Sequence, residues 1–392
     1  MGMQGLFDEA VDRIGGEPIS ARMARKAPIR HLDPLLLLVT LLLCAFGAVM
    51  VFTATASKQE TAGLDPSQFL KRQVVYTIAG TIVLLTLSFI DYRHLRAFSP
   101  FIYGAAVVTL VLVLTPLGDE HGGAQSWFDF GFVQFQPSEF AKIAVIVAAA
   151  AYLSERKGDV RARDVSLIVV LVAVPIGLIF IEPDFGSALV FVALLAGLLL
   201  LGGAKIRHFV TLGFLALVGV VFILQAAILE DYQIERITAF LDPNPNVQSE
   251  GWTLTQAKIA IASGGLRGKG LQRENTQTSL DFVPEQHTDF IFTAVAEQLG
   301  FIGGAVLLGL FALLIWRALR IGAMSRDLFG TLLAGGVATM WAFQLFVNVG
   351  MTMGIMPITG LTLPFVSFGG SSMLVNFIGV GLLLNVHMRR FL

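Results

Sequence analysis

Two ionisable residues stand near the start of an apolar segment that is long enough to be a membrane helix. Glu139 and Lys142 follow Gln136-Pro137-Ser138, and proline and serine are typical of a helix start. Residues three apart share one face of a helix, so the two side chains can pair. A charge at membrane depth usually serves a functional site. The spacing predicts either an ion pair that holds helices together or a site for an anionic headgroup.

A third ionisable residue, Asp289, stands just before another apolar segment, within Pro284–Phe292. A carboxylate in this position can cap the helix that follows. A partly desolvated aspartate can also act as a general base. His287 lies two residues earlier, and a histidine there is more often a surface or hydrogen-bonding residue than a catalyst. These residues alone leave both roles of Asp289 open.

The segment Gly264–Gly270 is rich in glycine and contains Arg267 and Lys269. Glycines allow close approach of the backbone, and both basic side chains suit phosphate oxygens. The segment lacks the spacing of a Walker motif and no strand is expected before it, so a nucleotide site is not expected. The alternative to a phosphate site is a flexible turn whose charges are solvated.

Two further loops carry aromatic and small side chains. Trp127 suits either an interfacial anchor or a platform on which a sugar stacks. Residues 357–372 contain no charge, two prolines and several small residues, Ser371 among them. This composition predicts a re-entrant or tightly packed backbone.

The composition predicts that lipid surrounds most of the chain. Of 392 residues, 55% are apolar and 14% are charged, and the mean hydropathy is +0.75. Soluble domains carry about 25% charged residues. We expect an all-α polytopic membrane protein with about ten transmembrane helices, because a helix needs about 20 apolar residues to cross the hydrocarbon. The predicted spans are 35–54, 73–90, 98–117, 138–153, 165–181, 187–201, 208–229, 290–316, 329–351 and 371–388.

Lysine and arginine predict the orientation of these spans. The loops 118–137, 182–186 and 352–370 contain none, whereas the alternate segments contain most of them. Because basic loops stay in the cytoplasm, we expect both termini there and the three loops on the outer side. The predicted organisation is a cytoplasmic N-terminal tail at 1–33 and a membrane domain at 34–392.

One long extracytoplasmic loop is expected at 230–288. Loops of this length are either functional or disordered. Trp252 and an apolar stretch within it indicate that residues 253–262 form an amphipathic helix at the membrane interface.

The ionisable residues are distributed unevenly between the two predicted halves of the membrane. Glu139, Lys142, Glu182, Asp184 and Asp289 all fall in the outer half, and we expect no comparable buried set in the inner half. A transporter is expected to carry polar groups near the midplane of the bilayer. The distribution therefore favours an enzyme that acts on a lipid-borne headgroup at the outer surface.

Four segments resemble signatures of one known family, the shape, elongation, division and sporulation (SEDS) family. They are Gln136–Lys142, Glu182–Ser187, Pro284–Phe292 and Gly360–Ser372. The resemblance extends over nearly the whole chain, from the first span to the last. Asn348–Gly354 and the short C-terminus are most similar to the elongation branch of the family.

The resemblance implies a peptidoglycan glycosyltransferase of the bacterial cytoplasmic membrane that polymerises lipid II on the outer side. In that family an essential aspartate, matched by Asp289, activates the attacking sugar hydroxyl directly or through a divalent cation, Mg²⁺ or Mn²⁺. Glu139 and Lys142 match a pair needed for activity, and Trp127 matches an aromatic position. The implied partners are a class B penicillin-binding protein transpeptidase and other membrane proteins of the elongation complex.

Arg267, Lys269 and Lys142 are candidates for supporting the departing pyrophosphate, with His287 and Ser371 as further supporting residues. Three alternatives stay open: a flippase that moves lipid II, a non-catalytic scaffold for a partner enzyme, and the division or sporulation member of the same family. Nucleic acid is not an expected partner.

Overall fold

The computed structural model describes residues 31–121, 124–131, 134–156, 160–225, 250–271, 276–280 and 282–390. Within these residues the chain forms eleven helices and three short strands. The first group is α1 (Pro34–Thr61), α2 (Gln68–Phe89), α3 (Tyr92–Val113), β1 (Asp119–His121), β2 (Ala124–Asp129), β3 (Gln134–Phe135), α4 (Pro137–Ser154) and α5 (Ala162–Ile181). The second group is α6 (Phe185–Leu201), α7 (Ile206–Gln225), α8 (Glu250–Gly264), α9 (Ile291–Ala323), α10 (Leu328–Met353) and α11 (Gly370–Arg389).

Ten of these helices correspond one to one with the ten predicted spans. Eight are long and apolar enough to cross a membrane, and α6 and α7 are shorter apolar helices. The prediction of an all-α polytopic membrane protein is therefore confirmed. The N-terminal tail, apart from residues 31–33, and residues 226–249 of the long loop lie outside the described part of the chain.

Helix α4 lies at the centre of the bundle and packs against α3, α10, α6, α5 and α11. Pro137 occupies its first turn, as the sequence predicted, because a proline there loses no helical hydrogen bond. Small residues at 148–151 let neighbouring helices approach closely. Nearly every side chain of α4 is buried, so any charge on α4 lies inside the protein and not against lipid.

Helix α9 is broken at Gly300, whose backbone has φ 66° and ψ −163°. Residues 291–298 before the break are buried, whereas Phe301 and Ile302 after it are 71% and 49% exposed. A side chain on Gly300 would collide with the backbone of Gly268. The break therefore separates a short helix inside the protein from a longer one that faces lipid, and glycine is required where the two meet.

The predicted loop 118–137 contains a three-stranded antiparallel sheet that the sequence did not reveal. Strand β2 pairs with β1 on one side and with β3 on the other. The rings of Phe128, Phe135 and Phe140 stack in sequence, with centroids 6.3 Å and 4.5 Å apart. Because Phe140 belongs to α4, the stack fixes the sheet on the start of that helix.

Helix α8 confirms that the long loop contains a helix, with slightly wider bounds than the predicted 253–262. Its apolar face packs on the protein, where Leu254 and Ala257 form a cluster with Val283, Phe290 and Ile358. The sequence assigned this face to the membrane interface. The residues that cover it come from distant parts of the chain, which a local pattern cannot show.

The helices alternate in direction, so the bundle has two ends. We call the end that contains Asp33 the Asp33 end and the opposite one the Asp289 end. The expectation that no ionisable set is buried at the Asp33 end is wrong: Asp33 is fully buried and lies 2.5 Å from Nε of Arg317 and 3.8 Å from Nδ1 of His387. Each of the three residues sits at or near the end of a different helix, where it looks solvated in the sequence.

Candidate functional site

The segment that joins α10 to α11 forms the floor of the Asp289 end. We call residues 354–369 the α10–α11 connector. It has no charged residue, and its side chains are largely buried, including Ile358, Thr359, Leu361, Leu363, Phe365 and Val366. The predicted tightly packed backbone is confirmed.

Asp289 lies on the turn that precedes α9, directly against the connector. Its Oδ2 is 3.5 Å from the position that a Cβ on Gly360 would occupy. The amide nitrogen of Asn348 donates to the backbone oxygens of both Asp289, at 2.8 Å, and Leu361, at 2.7 Å. One side chain therefore fixes the catalytic candidate and the connector relative to each other.

Asp289 lies one residue before the N-cap position of α9. Helix α9 begins at Ile291, and the residue in the N-cap position is Phe290. The backbone nitrogen of Asp289 instead donates to the carbonyl of Glu285 at 3.1 Å, within the turn. Capping of α9 and general-base catalysis both stay predictions for the Asp289 carboxylate.

His287 attaches the same turn to the connector from the other side. Its carbonyl accepts from the backbone nitrogen of Phe368 at 2.8 Å, and the hydroxyl of Ser367 donates to the carbonyl of Thr288. The His287 ring lies 4.8 Å from the ring of Phe69 on α2 in an edge arrangement. These contacts hold the turn that carries Asp289 against the connector and α2.

Glu139 and Lys142 form the ion pair that their spacing predicted. Nζ of Lys142 lies 2.5 Å from Oε1 of Glu139, and the side chains are 0% and 6% exposed. Oε2 of Glu139 is buried and has no hydrogen-bond partner in the described part of the chain. The ion pair therefore leaves one acceptor, Oε2 of Glu139, unused at the Asp289 end.

Ser371 and Asp184 hold the start of α4 in place. The hydroxyl of Ser371 accepts from the backbone nitrogen of Gln136 and donates to the carbonyl of Gln134, each at 2.9 Å. Oδ2 of Asp184 accepts from Nε2 of Gln136 at 3.3 Å and from the Ser138 hydroxyl at 3.5 Å. Two segments that the sequence singled out, Glu182–Ser187 and Gly360–Ser372, thus both contact a third one, Gln136–Lys142.

The start of α6 closes the arrangement. A side chain on Gly186 would collide with the carbonyl oxygen of Thr359 in the connector. Thr359 precedes Gly360, which lies against Asp289. The four segments that resemble one family, separated by up to about two hundred residues, therefore meet one another at the Asp289 end. Trp127, half-buried on β2, lies at the same end because its sheet packs on α4.

The glycine-rich segment Gly264–Gly270 packs on the break in α9. Backbone nitrogens of Lys269 and Gly270 donate to the carbonyls of Glu297 and Gln298, each at 3.0 Å. The Lys269 ammonium lies 2.7 Å from Oε1 of Glu297, whereas Arg267 is exposed. The glycines thus allow the backbone of this segment to approach α9, and not a phosphate as their composition suggested. Lys269 is paired with a carboxylate of the protein.

Glu297 is a buried acidic residue that the sequence analysis missed. Its oxygens also accept from the backbone nitrogens of Gln277 and Thr278 and from the Thr278 hydroxyl. Nε2 of Gln286 donates to the carbonyl of Gln277, so this network reaches the turn that carries Asp289. The signal was present, because a glutamate within a predicted apolar span needs a partner.

The Asp289 end offers carboxylate oxygens that suit the hydroxyl groups of a headgroup. It offers one carboxylate at the surface of the connector and a buried ion pair with a spare acceptor below it. Across the described ranges, no group of three or more His, Cys, Asp or Glu side chains is placed to hold a metal ion. Asp289 would therefore supply only part of a coordination shell.

Ten apolar helices with ionisable side chains buried at both ends define a polytopic membrane protein. Residues 33–391 match the FtsW/RodA/SpoVE family, described as "Cell cycle protein". The chain belongs to this family, and the resemblance to the SEDS family is confirmed.

Two named relatives match almost the whole chain. Stage V sporulation protein E of Bacillus subtilis is 37% identical over 90% of this chain and 96% of its own length. Peptidoglycan glycosyltransferase MrdB of Escherichia coli K12 is 36% identical over 92% of this chain and 94% of its own.

Two solved structures share the fold. A chain of a peptidoglycan synthase complex, reported for the coordination of polymerization and crosslinking, is 34% identical with a TM-score of 0.77, over 92% of this chain and 98% of that one. The rod shape determining protein RodA of Thermus thermophilus is 31% identical with a TM-score of 0.68, over 92% and 98%. The similarity to RodA is consistent with the elongation branch.

Proposed function

We propose that this protein is a peptidoglycan glycosyltransferase that polymerises lipid II into glycan strands during cell elongation and releases undecaprenyl pyrophosphate. The observation that carries the proposal is the position of the Asp289 carboxylate on the connector, at the end of the bundle where four separate segments meet. The MrdB relative, named for this activity, and the similarity to RodA support it.

Asp289 acts as the general base. The 4-hydroxyl of the GlcNAc of one lipid II is a poor nucleophile until a base removes its proton. Asp289 accepts that proton as the hydroxyl oxygen forms a bond to the anomeric carbon of the MurNAc on the growing strand. The bond from this carbon to the pyrophosphate breaks, the leaving group takes the electron pair, and the configuration inverts.

Positive charge near the pyrophosphate stabilises the leaving group. Lys142 is fully buried and bonded to Glu139, so it contributes through the potential at the base of the site. Arg267 is exposed and can contact the phosphates directly. Trp127 offers a face for a sugar ring, while His287 and Ser371 position the elements around the substrate.

A divalent cation, Mg²⁺ or Mn²⁺, fits Asp289 as one protein ligand. Such cations commonly use one or two carboxylates and complete their shell with substrate phosphates and water. The single carboxylate here suits that arrangement better than a dedicated protein cage. When bound, the cation would add charge stabilisation at the pyrophosphate.

The Asp289 end faces outward from the bacterial cytoplasmic membrane, and the Asp33 end faces the cytoplasm. The distribution of lysine and arginine supports this orientation. Because the described helices include no soluble transpeptidase domain, a class B penicillin-binding protein is the proposed partner. The likeness to a chain of a peptidoglycan synthase complex supports such an assembly.

The test is polymer formation by the purified protein supplied with lipid II. Asp289→Asn should lower the rate by about 100- to 10,000-fold, the usual contribution of a general base. Glu60→Gln is the matched control, because Glu60 is an exposed acid at the same end and should leave the rate unchanged. Equal polymerisation by Asp289→Asn would remove Asp289 from the mechanism, and lipid II translocation without any polymer would support the flippase.

A further inference from the structure

Glu182 is a buried carboxyl group that the proposed mechanism does not use. It lies on the turn between α5 and α6 and is 1% exposed. Neither of its oxygens has a hydrogen-bond partner in the described residues. An ionised carboxylate in such a place is far more costly than a neutral one, because nothing replaces the water it has lost.

Among the residues that the structure describes, no positive charge compensates Glu182. Asp184, two residues later, has the same sign. On α4, Glu139 and Lys142 are bonded to each other. The connector contains no ionisable side chain, and neither do the halves of α5, α6 and α10 that lie at this end. Burial, with a smaller contribution from Asp184, raises the pKa of Glu182 to about 8.

The turn that contains Glu182 also contains the residue that fixes α4. Oδ1 of Asp184 accepts from the backbone nitrogen of Ser187 at 2.9 Å and so caps α6. Its Oδ2 accepts from Gln136 and Ser138, just before Glu139. A rearrangement of this turn would therefore move the start of α4 and the Glu139–Lys142 pair with it.

We propose that Glu182 is a positioning residue that is uncharged in the active protein and holds the turn through which Asp184 fixes α4. The role in activity rests on the proposed polymerase function. Ionisation of Glu182 places a second unbalanced negative charge beside Asp184. The turn then opens, Asp184 leaves Gln136 and Ser138, and the site loses its geometry without any change in Asp289.

Polymerisation by the purified protein between pH 6 and 10 tests the role in activity. The wild-type rate should fall about tenfold per pH unit above the Glu182 pKa of about 8. Glu182→Gln, a neutral isostere, should retain the rate at pH 7 and lack that decline. Glu182→Ala should lose most of its activity at every pH, because it leaves a cavity beneath the turn. A parallel decline in Glu182→Gln, or its inactivity at pH 7, would overturn the proposal.

Thermal unfolding tests the same group without any catalytic assay. The folded protein holds a proton on Glu182 that the unfolded chain releases near its ordinary pKa of about 4.3. The wild type should therefore lose stability relative to Glu182→Gln as the pH rises from about 5 to about 8, with no further loss above. A constant difference in Tm across this window would refute the uncharged state. This result stays informative even if no polymer forms, so the two proposals fail separately.

Discussion

The two ends of the bundle use acidic residues in different ways. At the Asp33 end, three aspartates each cap a helix with one oxygen and bond a second side chain with the other. Asp33 caps α1 and pairs with Arg317, Asp91 caps α3 and pairs with Arg389, and Asp327 caps α10 and accepts from the Tyr92 hydroxyl. Every oxygen of these carboxylates has a structural partner.

At the Asp289 end, two acidic residues keep oxygens that no hydrogen bond uses within the described residues. They are Oε2 of Glu139 and both oxygens of Glu182. Asp184 is the exception at this end, because it caps α6 and bonds α4 in the manner of the Asp33 end. A fully bonded carboxylate fixes helices, whereas one with an unused acceptor is available to a ligand or a proton.

The largest effect expected from this comparison is at Glu139 and Lys142. Glu139→Gln or Lys142→Met alone leaves one buried charge without its partner, which should destabilise the protein by about 3–5 kcal/mol. The double variant removes both charges and should regain most of that stability, because a desolvated pair contributes little net. We expect all three variants to be inactive in the polymerisation assay, with Tm read in parallel.

The double variant decides what the pair does. If it regains both stability and activity, the pair only holds helices together, and the contrast between the two ends is lost. Recovery of stability without activity assigns the charges to the reaction.

The second effect is at the Asp33 end and should touch stability alone. Asp33→Asn keeps the cap on α1 but leaves Arg317, which is 15% exposed, without its anion. A lost hydrogen bond to a charged group costs about 2 kcal/mol, so Tm should fall while the rate per folded molecule stays constant. Asp33→Asn combined with Arg317→Met should recover part of the loss. A fall in the rate per folded molecule would show that this end also serves the reaction.

The smallest effect separates two neighbouring basic residues. Lys269 is 28% exposed and paired with Glu297, which keeps three other donors when Lys269 is removed. Lys269→Met should therefore cost only about 1 kcal/mol of stability and leave KM for lipid II unchanged. Arg267→Ala should raise KM without changing Tm. The opposite result, a raised KM for lipid II in Lys269→Met, would show that Lys269 contributes to binding of lipid II.

The sequence predicted the features that depend on neighbouring residues. Ten helices follow from runs of apolar residues, and the Glu139–Lys142 pair follows from a spacing of three. The Asp33–Arg317 pair joins residues 284 positions apart, so no local pattern contains it. The partner of Lys269 and the residues that cover α8 could not be predicted for the same reason, because they are distant in the sequence.

The site was predictable only in part. The segments around Asp289 and Glu139 stood out because charged residues interrupt apolar runs. Their convergence depends on Gly186, whose missing side chain allows contact with Thr359, and on Gly360, whose φ of 72° favours glycine. A glycine in a sequence does not identify the distant residue that packs against it. The connector could therefore be predicted to be tightly packed, but not to contact Asp289.

The junction at Gly300 has a consequence for how this family of sequences can vary. Four main-chain hydrogen bonds join residues 265–270 to residues 297–302, beside the one side-chain bond from Lys269 to Glu297. Main-chain hydrogen bonds depend on the number of residues between the bonded atoms and not on which side chains these residues have. Substitutions of the lipid-facing Phe301 and Ile302 should be tolerated, because their side chains take no part in these bonds. Inserting or deleting one residue in 265–270 or in 297–302 would instead break the pairing of all four main-chain bonds and displace the turn that bears Asp289.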